Sequence, residues 1–379
     1  MSSRLTSLSV KPPGTAILIG YYGMQNTGDD AFLAVAAAAA RKHLRSDSIF
    51  ARSYRVPTVS GVEVRPLFPF PPLRGLGRLN SFPEHFRLRR ARHLIWAGGS
   101  IIHTDSINEG YCRILDLARE AKGFAAGVSV GPFTNTSAES SAARFLTRLD
   151  FVGVRDQISY QRVREIAPKA HVRLTFDLAP LLMRETSNRT GGTLPARRGL
   201  GVALCNYERF VGGDLKRERD RLTVVAEAIR TCARAGAVDH VVLIDFNGHP
   251  QFGDDAIHAE LAHRLENCVS TERVRYCDDP VAVMRRIATL RGMLAMRLHA
   301  AIFAFCTSVP AVLLSYHEKC REWARMVGAP MDQTMDTGQM DPTVLVSQIK
   351  ALSKSEPPLS AMKPVEAVGR AIENWSWCS

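Results

Sequence analysis

Long apolar runs are missing from this sequence. The longest candidate, residues 31–40, is short and alanine-rich. It falls well below the roughly 20 residues of a membrane helix and reads as a helix packed closely on a sheet. Cysteine is sparse. The eight are scattered and form no CxxC pair, which argues for free thiols in a reducing compartment and against a disulfide frame or a zinc site. Residues 1–14 lack the apolar core of a secretory signal, so a cytoplasmic chain is expected. No HxxxH or Cys/His spacing points to a metal, and none is expected. The dinucleotide fingerprint GxGxxG, the GK[ST] ending of a P-loop and a nucleophilic serine elbow are also absent.

Acidic residues are outnumbered. The chain has 49 Lys and Arg against 37 Asp and Glu, a formal charge of +12. Such a balance suggests an anionic partner: nucleic acid, an acidic membrane surface or anionic substrates. The excess is mostly arginine spread along the chain. It forms no lysine-rich tail and no aromatic-plus-basic repeat of the single-strand-binding kind, so nucleic acid is not favoured. The apolar fraction, 46%, is that of a globular protein. At 379 residues the chain exceeds one ordinary core and suits two domains.

Strands are expected at 16–20, 61–67, 94–97, 124–130, 151–154 and 171–175, with helices at 31–44, 108–122 and 137–149. The first strand runs straight into YYGMQNTGDD, a glycine-bearing loop opening a helix. Asp29 or Asp30 can cap that helix. Two aspartates plus Asn26 exceed what capping needs, which leans towards hydroxyl binding. Residues 68–79, rich in Pro, Gly and aromatics, are expected to be irregular. With the basic run RLRRARH at 87–93 they suggest a flexible flap facing a large anionic acceptor or a membrane surface; the plainer reading is a solvated face. The 94–97 strand should end at Gly98-Gly99. The 151–154 strand ends in Arg155-Asp156, with Ser159 a turn later, and Asp177 follows the last strand of this half.

Residues 187–198 (SNRTGGTLPARR) read as a linker. The alternation then restarts, with strands at 199–204, 240–245, 274–276, 293–296 and 311–315. Helices fall at 216–235, 254–268, 280–290 and 298–307, after the last strand up to residue 327, and near 342–352 and 364–375. The fold class is therefore α/β, two doubly wound Rossmann-like domains facing a cleft, at 1–186 and 199–379, the second including the closing helices. The stretch 292–310 is central. A short buried strand meets an apolar helix, with Arg297 and His299 at the junction, where open α/β sheets bind ligands. The helix start offers N–H groups and partial positive charge to an anion. Arginine adds a two-pronged grip and histidine a proton near neutrality. A salt-bridged surface arginine and a satisfied helix histidine are the plainer alternative.

Six segments together resemble the polysaccharide pyruvyl transferases. They are GYYGMQNTGDDAFL, WAGG at 96–99, GVRDQIS at 153–159, TFDLAPLL from Thr175, MRLHAAIFA from Met296 and PAVLLSYHEKCREWARMVG from Pro310. Their order and spacing follow the family over residues 20–328. The family's fold is similar to the two-domain glycosyltransferase-B arrangement. The resemblance implies transfer of pyruvate from phosphoenolpyruvate to two hydroxyls of a sugar, giving a cyclic ketal. It carries Arg297, Leu298 and His299 over as donor contacts, together with Arg155 and Lys319. The family often shows Tyr-Asp-Pro-Lys where this chain has Tyr316-His317-Glu318-Lys319, and Asp-Pro where it has Asp177-Leu178.

On that basis His299 is the expected general acid for carbon 3, and Arg155, Arg297 and Lys319 are the expected cations for carboxylate and phosphate. Asp29 or Asp30 is the expected base. Asn26, Asp29 and Asp177 are expected on the acceptor, and no metal or organic cofactor is expected. A lipid-linked acceptor at the inner membrane face would suit the basic run and imply peripheral membrane contact. Two other readings stay open: a nucleotide-sugar glycosyltransferase of the same shape, and a non-catalytic sugar- or nucleic-acid-binding protein.

Overall fold

The computed structural model describes residues 14–59, 61–69, 77–184, 196–354 and 356–378. A seven-stranded parallel sheet is built from β1 (Gly14–Ile19), β2 (Ser46–Ala51), β3 (Val64–Pro66), β4 (Ala91–Ile102), β5 (Lys122–Val130), β6 (Phe151–Val154) and β7 (Val172–Leu174). Its order is β3-β2-β1-β4-β5-β6-β7. A six-stranded parallel sheet is built from β8 (Leu200–Ala203), β9 (His240–Ile244), β10 (Ser270–Val274), β11 (Gly292–Ala295), β12 (Ala311–Ser315) and β13 (Thr334–Asp336). Its order is β10-β9-β8-β11-β12-β13. Each order reverses once, between β1 and β4 and between β8 and β11. Such switch points open a crevice at the strand carboxyl ends. Strands β6, β8 and β11 are buried throughout, because helices cover both faces of a parallel sheet.

Helices α1 (Thr27–His43), α2 (Gly77–Leu88), α3 (Asp105–Leu117), α4 (Thr136–Thr147) and α5 (Gln157–Ile166) accompany the first sheet. With the second go α6 (Tyr207–Val211), α7 (Leu215–Arg234), α8 (Asp255–Leu265), α9 (Pro280–Ala288), α10 (Leu298–Cys306), α11 (Glu318–Val327) and α12 (Pro342–Ala351). Helix α13 (Pro364–Ile372) then leads into a final 3-10 turn, Glu373–Cys378. Small residues let α1 lie close to its neighbours: Ala31, Ala36, Ala37 and Ala40 are fully buried. Gly98, inside β4, has φ +68 and lies so near the Phe32 ring of α1 that a Cβ would fall 2.2 Å from it. One buried cluster joins Phe32 and Ala36 to Phe246, Met284 and Phe303 of the second half, so the back of the cleft is an apolar seam.

Several expectations are corrected. Helix α1 begins at Thr27, four residues early, because Asn26 and neither aspartate is its cap. Strand β4 does not stop at Gly98 but runs to Ile102; positive φ at Gly98 and Gly99 lets the chain continue along β5. Helix α2 occupies Gly77–Leu88, so the end of 68–79 is helical, while 70–76 lie outside the described residues. The basic run is not one flap. It spans the end of α2 and the start of β4, and Arg87 caps over the Phe50 ring and donates to the Leu67 carbonyl. Strand β10 lies at Ser270–Val274 and not at 274–276. Most of the linker, 187–195, lies outside the described residues. The closing segment does not stay with the second half. Asn374 accepts from the Gly127 N–H and the Thr175 hydroxyl and donates to the Phe176 carbonyl, and Trp377 stacks on Phe124.

Candidate active site

The loop after β1 brings the first acids to the cleft. Asn26 has extended backbone, and its Oδ1 accepts from the Gly28 N–H at 3.0 Å, so the side-chain oxygen expected on an acceptor is engaged as a helix cap. Asp29 and Asp30 then occupy the first turn and diverge. Asp29 lies within electrostatic reach of Lys319, Arg155, Arg297 and Asp177. Withdrawal from water pushes its carboxyl up to about 7 against the pull of those cations. Asp30 turns away from this group. Its Oδ2 accepts from the Tyr276 hydroxyl at 2.7 Å, tying α1 to the second half, and burial pushes it too up to about 7. Asp30 is thus placed as a link between halves, apart from the cluster for which it was read as a base.

Arg155 follows β6 and is buried. Its Nη1 donates to Asp177 Oδ2 at 2.9 Å, its Nε to Ser129 Oγ at 2.7 Å and its Nη2 to Ser100 Oγ at 3.4 Å. Asp177 also accepts from the Ala179 N–H through Oδ1 at 2.9 Å. Read from sequence as an acceptor contact, Asp177 is placed as the carboxylate that aligns Arg155. Asp156 caps α5 through the Ser159 N–H and accepts from the Ser129 hydroxyl, which fixes the serine that holds Arg155.

Arg297 and His299 flank the start of α10. Arg297 is the N-cap residue, with φ −66 and ψ 123. Its Nε donates to both oxygens of Asp254 at 3.1 Å, and its Nη2 donates to Oδ1. Asp254 is fully buried, and its Oδ2 also accepts from the Phe246 and Asn247 N–H groups, each at 2.9 Å. His299 sets its ring edge-on to Phe32, 4.9 Å between centroids. Its Nε2 lies 3.9 Å from Asp177 Oδ2 and has no hydrogen-bond partner among the described residues. Burial lowers the imidazole to about 4; Asp177 opposes this, and Arg155, Lys319 and Arg297 reinforce it. The ligand-free ring is therefore neutral at neutral pH.

Lys319 sits in the first turn of α11, where His317 Nδ1 accepts from its N–H at 3.2 Å. Its ammonium lies 5.7 Å from the Tyr316 ring centre. Among the described residues no carboxylate is within ion-pair distance of it. Burial lowers its pKa, and Arg155 and Arg297 add to the effect. A cavity of about 410 Å³ opens between the halves, walled by Ser100, Arg155 and Asp177 on one side and Tyr207, Leu298 and Lys319 on the other. Asp29, Arg297 and His299 do not line it but lie within electrostatic reach of residues that do.

The arrangement sets two cations on the cavity wall, with a third cation and two groups able to exchange protons within electrostatic reach behind it. That suits an anionic substrate and proton transfer. Sequence reading did not single out Asp254, Ser129 or Ser100. Asp254 showed only as the expected start of a helix, and its partner lies 43 residues away.

None of the curated proteins compared matches the sequence. Solved structures share the fold. The putative UDP-N-acetylglucosamine 2-epimerase from Listeria monocytogenes aligns with TM-score 0.61 and 9% identity over 95% of each chain. The Methanocaldococcus jannaschii UDP-GlcNAc 2-epimerase in complex with UDP-GlcNAc and UDP aligns with TM-score 0.57 and 12% identity, over 95% of this chain and 99% of that one. At such identities the likeness is one of fold, a glycosyltransferase-B-like pair of Rossmann-like domains. The sequence profile described as "Polysaccharide pyruvyl transferase" matches residues 26–318. That span is more than half of the 379 residues and holds Asp29, Arg155, Arg297 and His299, and the chain belongs to the polysaccharide pyruvyl transferase family of transferases.

Proposed function

We infer that the protein moves pyruvate from phosphoenolpyruvate onto two hydroxyls of a sugar in a polysaccharide or its precursor, forming a cyclic ketal and releasing phosphate. The observation that carries this reading is Lys319. It is a half-buried ammonium with no carboxylate within ion-pair distance among the described residues, facing the same cavity as Arg155. Withdrawing a charge from water is costly unless an opposite charge meets it. The phosphate and carboxylate of phosphoenolpyruvate supply that charge at both ends of a small molecule.

The chemistry follows from the donor's enol ester. Carbon 3 takes a proton and becomes the methyl group. Carbon 2, left electron-poor, bonds to the first sugar hydroxyl oxygen. Its bond to the phosphate oxygen then breaks, and the second hydroxyl oxygen closes the ring. Of the two hydroxyl protons, one replaces the proton given to carbon 3 and the other leaves with phosphate. The gain of hydrogen at carbon 3 is balanced by the gain of oxygen at carbon 2, so the reaction is redox-neutral overall and calls for no redox cofactor.

His299 is the proton donor to carbon 3 in this scheme. It is neutral in the free protein, and the donor's negative charge is what brings a proton onto it. Asp29, poised at about 7, is the base for a sugar hydroxyl. Arg155 and Lys319 hold the anionic groups from the cavity wall, and the open end of the Arg297 guanidinium, beside His299, adds a third hold from behind it. The acceptor sugar is drawn from a polysaccharide unit, and a lipid-linked unit would bring the enzyme to a membrane surface; among the described residues no helix is long and apolar enough to cross one.

The test is phosphate release from phosphoenolpyruvate with a panel of sugar acceptors, lipid-linked ones included. Acceptor-dependent release, with pyruvate retained on the sugar, supports the reading. Failure to bind phosphoenolpyruvate, together with binding of a UDP-sugar, would replace it with a nucleotide-sugar reaction.

A further inference from the structure

The loop after β9, residues 245–254, carries more connections than a strand-to-helix turn requires. Towards the second half, Asp254 takes the Nε and Nη2 edge of Arg297 while its Oδ2 also accepts the Phe246 and Asn247 N–H groups. Every carboxylate oxygen is thus engaged, and the loop folds back on itself through the Asp254 N–H to the Asn247 carbonyl at 2.8 Å. Towards the first half, the Phe246 carbonyl accepts from the Thr27 N–H at 2.9 Å. The Gly248 N–H donates to the Gln25 carbonyl at 2.8 Å. These bonds bracket Asn26, which itself forms an antiparallel bridge with Asn247. One loop therefore grips both the arginine at the switch point of one sheet and the entry to α1, which carries Asp29, at the switch point of the other.

The geometry on Arg297 is side-on. A guanidinium has a side edge, Nε with one Nη, and an end edge formed by its two Nη groups. Asp254 occupies the side edge. Nη1 has no hydrogen-bond partner among the described residues, and 19% of the side chain is open. The Arg297 side chain, free to rotate, would otherwise lose considerable entropy on fixing one orientation.

We propose that Asp254 is a positioning residue for the transfer: it holds the side edge of Arg297 so that the end edge is presented to the anionic donor, and through its loop it sets Arg297 against Asp29 across the cleft. This rests on the proposed donor, and it adds an acid that the donor does not touch. Asp254 neutralises part of the arginine's charge, so deleting it would raise donor affinity if charge alone mattered. Orientation predicts the opposite sign.

The test uses the full-length protein and phosphoenolpyruvate as the probe. Calorimetric Kd values are compared for wild type, Asp254→Asn, Asp254→Glu, Arg297→Lys and the double variant Asp254→Asn/Arg297→Lys. Orientation predicts that Asp254→Asn and Asp254→Glu each weaken binding at least tenfold, and that the double variant binds no worse than Arg297→Lys alone. Unchanged or tighter donor binding in a folded Asp254→Asn protein would overturn the proposal, and so would additive losses in the double variant. A second measurement needs no donor. In protein carrying 15N-arginine, the Arg297 Nε–H resonance, identified by its loss in Arg297→Lys, should be slow to exchange in wild type and lose that protection in Asp254→Glu, a charge-conserving change that serves if Asp254→Asn fails to fold. Protection equal to wild type would sink the anchoring. If wild type bound no phosphoenolpyruvate while Arg297 stayed anchored, the donor assignment would fail and the Asp254–Arg297 link would stand.

Discussion

Gly28 lies against the imidazole of His299: a Cβ built at position 28 would fall 2.1 Å from Nδ1. The contact joins the first turn of α1 to the start of α10, so the backbone of one half forms a wall for the histidine of the other. Gly28→Ala should displace the ring while leaving α1 intact, since alanine is the better helix residue by about 1 kcal/mol. We expect kcat/KM for the donor to fall at least a hundredfold with an unchanged far-ultraviolet dichroism spectrum. Near-normal turnover in that variant would show that the position of His299 is not critical.

The paired aspartates should separate by function. Both carboxyls are pushed up to about 7 by burial, but only Asp29 faces the cations of the cleft. Asp29→Asn should remove the ionisation near 7 from the pH profile of kcat/KM, whereas Asp30→Asn should keep it and retain most of the activity. Stability should change in a matching direction. From about pH 4 to 7 the folded chain holds protons that the unfolded chain has lost, so stability falls as pH rises through that window. Asp30→Asn removes one such group, and its melting temperature should decline less between pH 5 and 8 than that of wild type. An equal decline in both proteins would mean that Asp30 ionises as freely in the folded state as in the unfolded one.

Much of this architecture was legible because apolar runs end abruptly at charge. Val154 gives way to Arg155, and Ala295 and Met296 give way to Arg297; both strand ends fall within a residue of expectation. Edge strands were harder. Strand β10 reads STERV, polar on a sheet margin, so the expectation settled on its last residue, Val274, and the Tyr276 beyond it, and the three-residue β13 gave too short a pattern. Helix α2 was hidden by Gly77 and by Pro83 within it. Residue types at the site were readable, but pairings were not. That Asp177 would align Arg155, that Asp30 would reach Tyr276 across 246 residues, and that Arg297 would be bound by Asp254 depend on tertiary contacts that no local period encodes.

The Arg155–Asp177 pair gives a stability prediction. Both side chains are nearly closed to solvent, 8% and 2% open. Removing one partner of a buried pair leaves an uncompensated charge, at about 3–5 kcal/mol. Asp177→Ala should therefore destabilise the fold by that order in urea titration. Arg155→Met/Asp177→Leu, which removes both charges, should lose far less stability and still abolish donor binding. Retained phosphoenolpyruvate binding in this double variant would take Arg155 out of the site.

Donor binding should be coupled to proton uptake at His299. Burial and three nearby cations keep the free imidazole at about 4, below its ordinary range near 6.5. The folded state therefore binds this proton more weakly than the unfolded chain does, and its contribution to stability is lost as pH falls from about 6.5 through 4. A phosphate and a carboxylate entering beside Arg155 and Lys319 reverse the local sign and raise the imidazole pKa. Calorimetry of phosphoenolpyruvate binding at pH 6.5, in buffers of different ionisation enthalpy, counts the protons taken up. The Asp29→Asn background removes the other group that titrates nearby. In it, adding His299→Gln should cut the proton count by close to one, a difference in which any proton released by the donor's own phosphate cancels, and should weaken donor binding about tenfold, as linkage to a nearly full proton requires. Equal uptake with and without His299 would place the transferred proton on another group and end the case for this histidine as the acid.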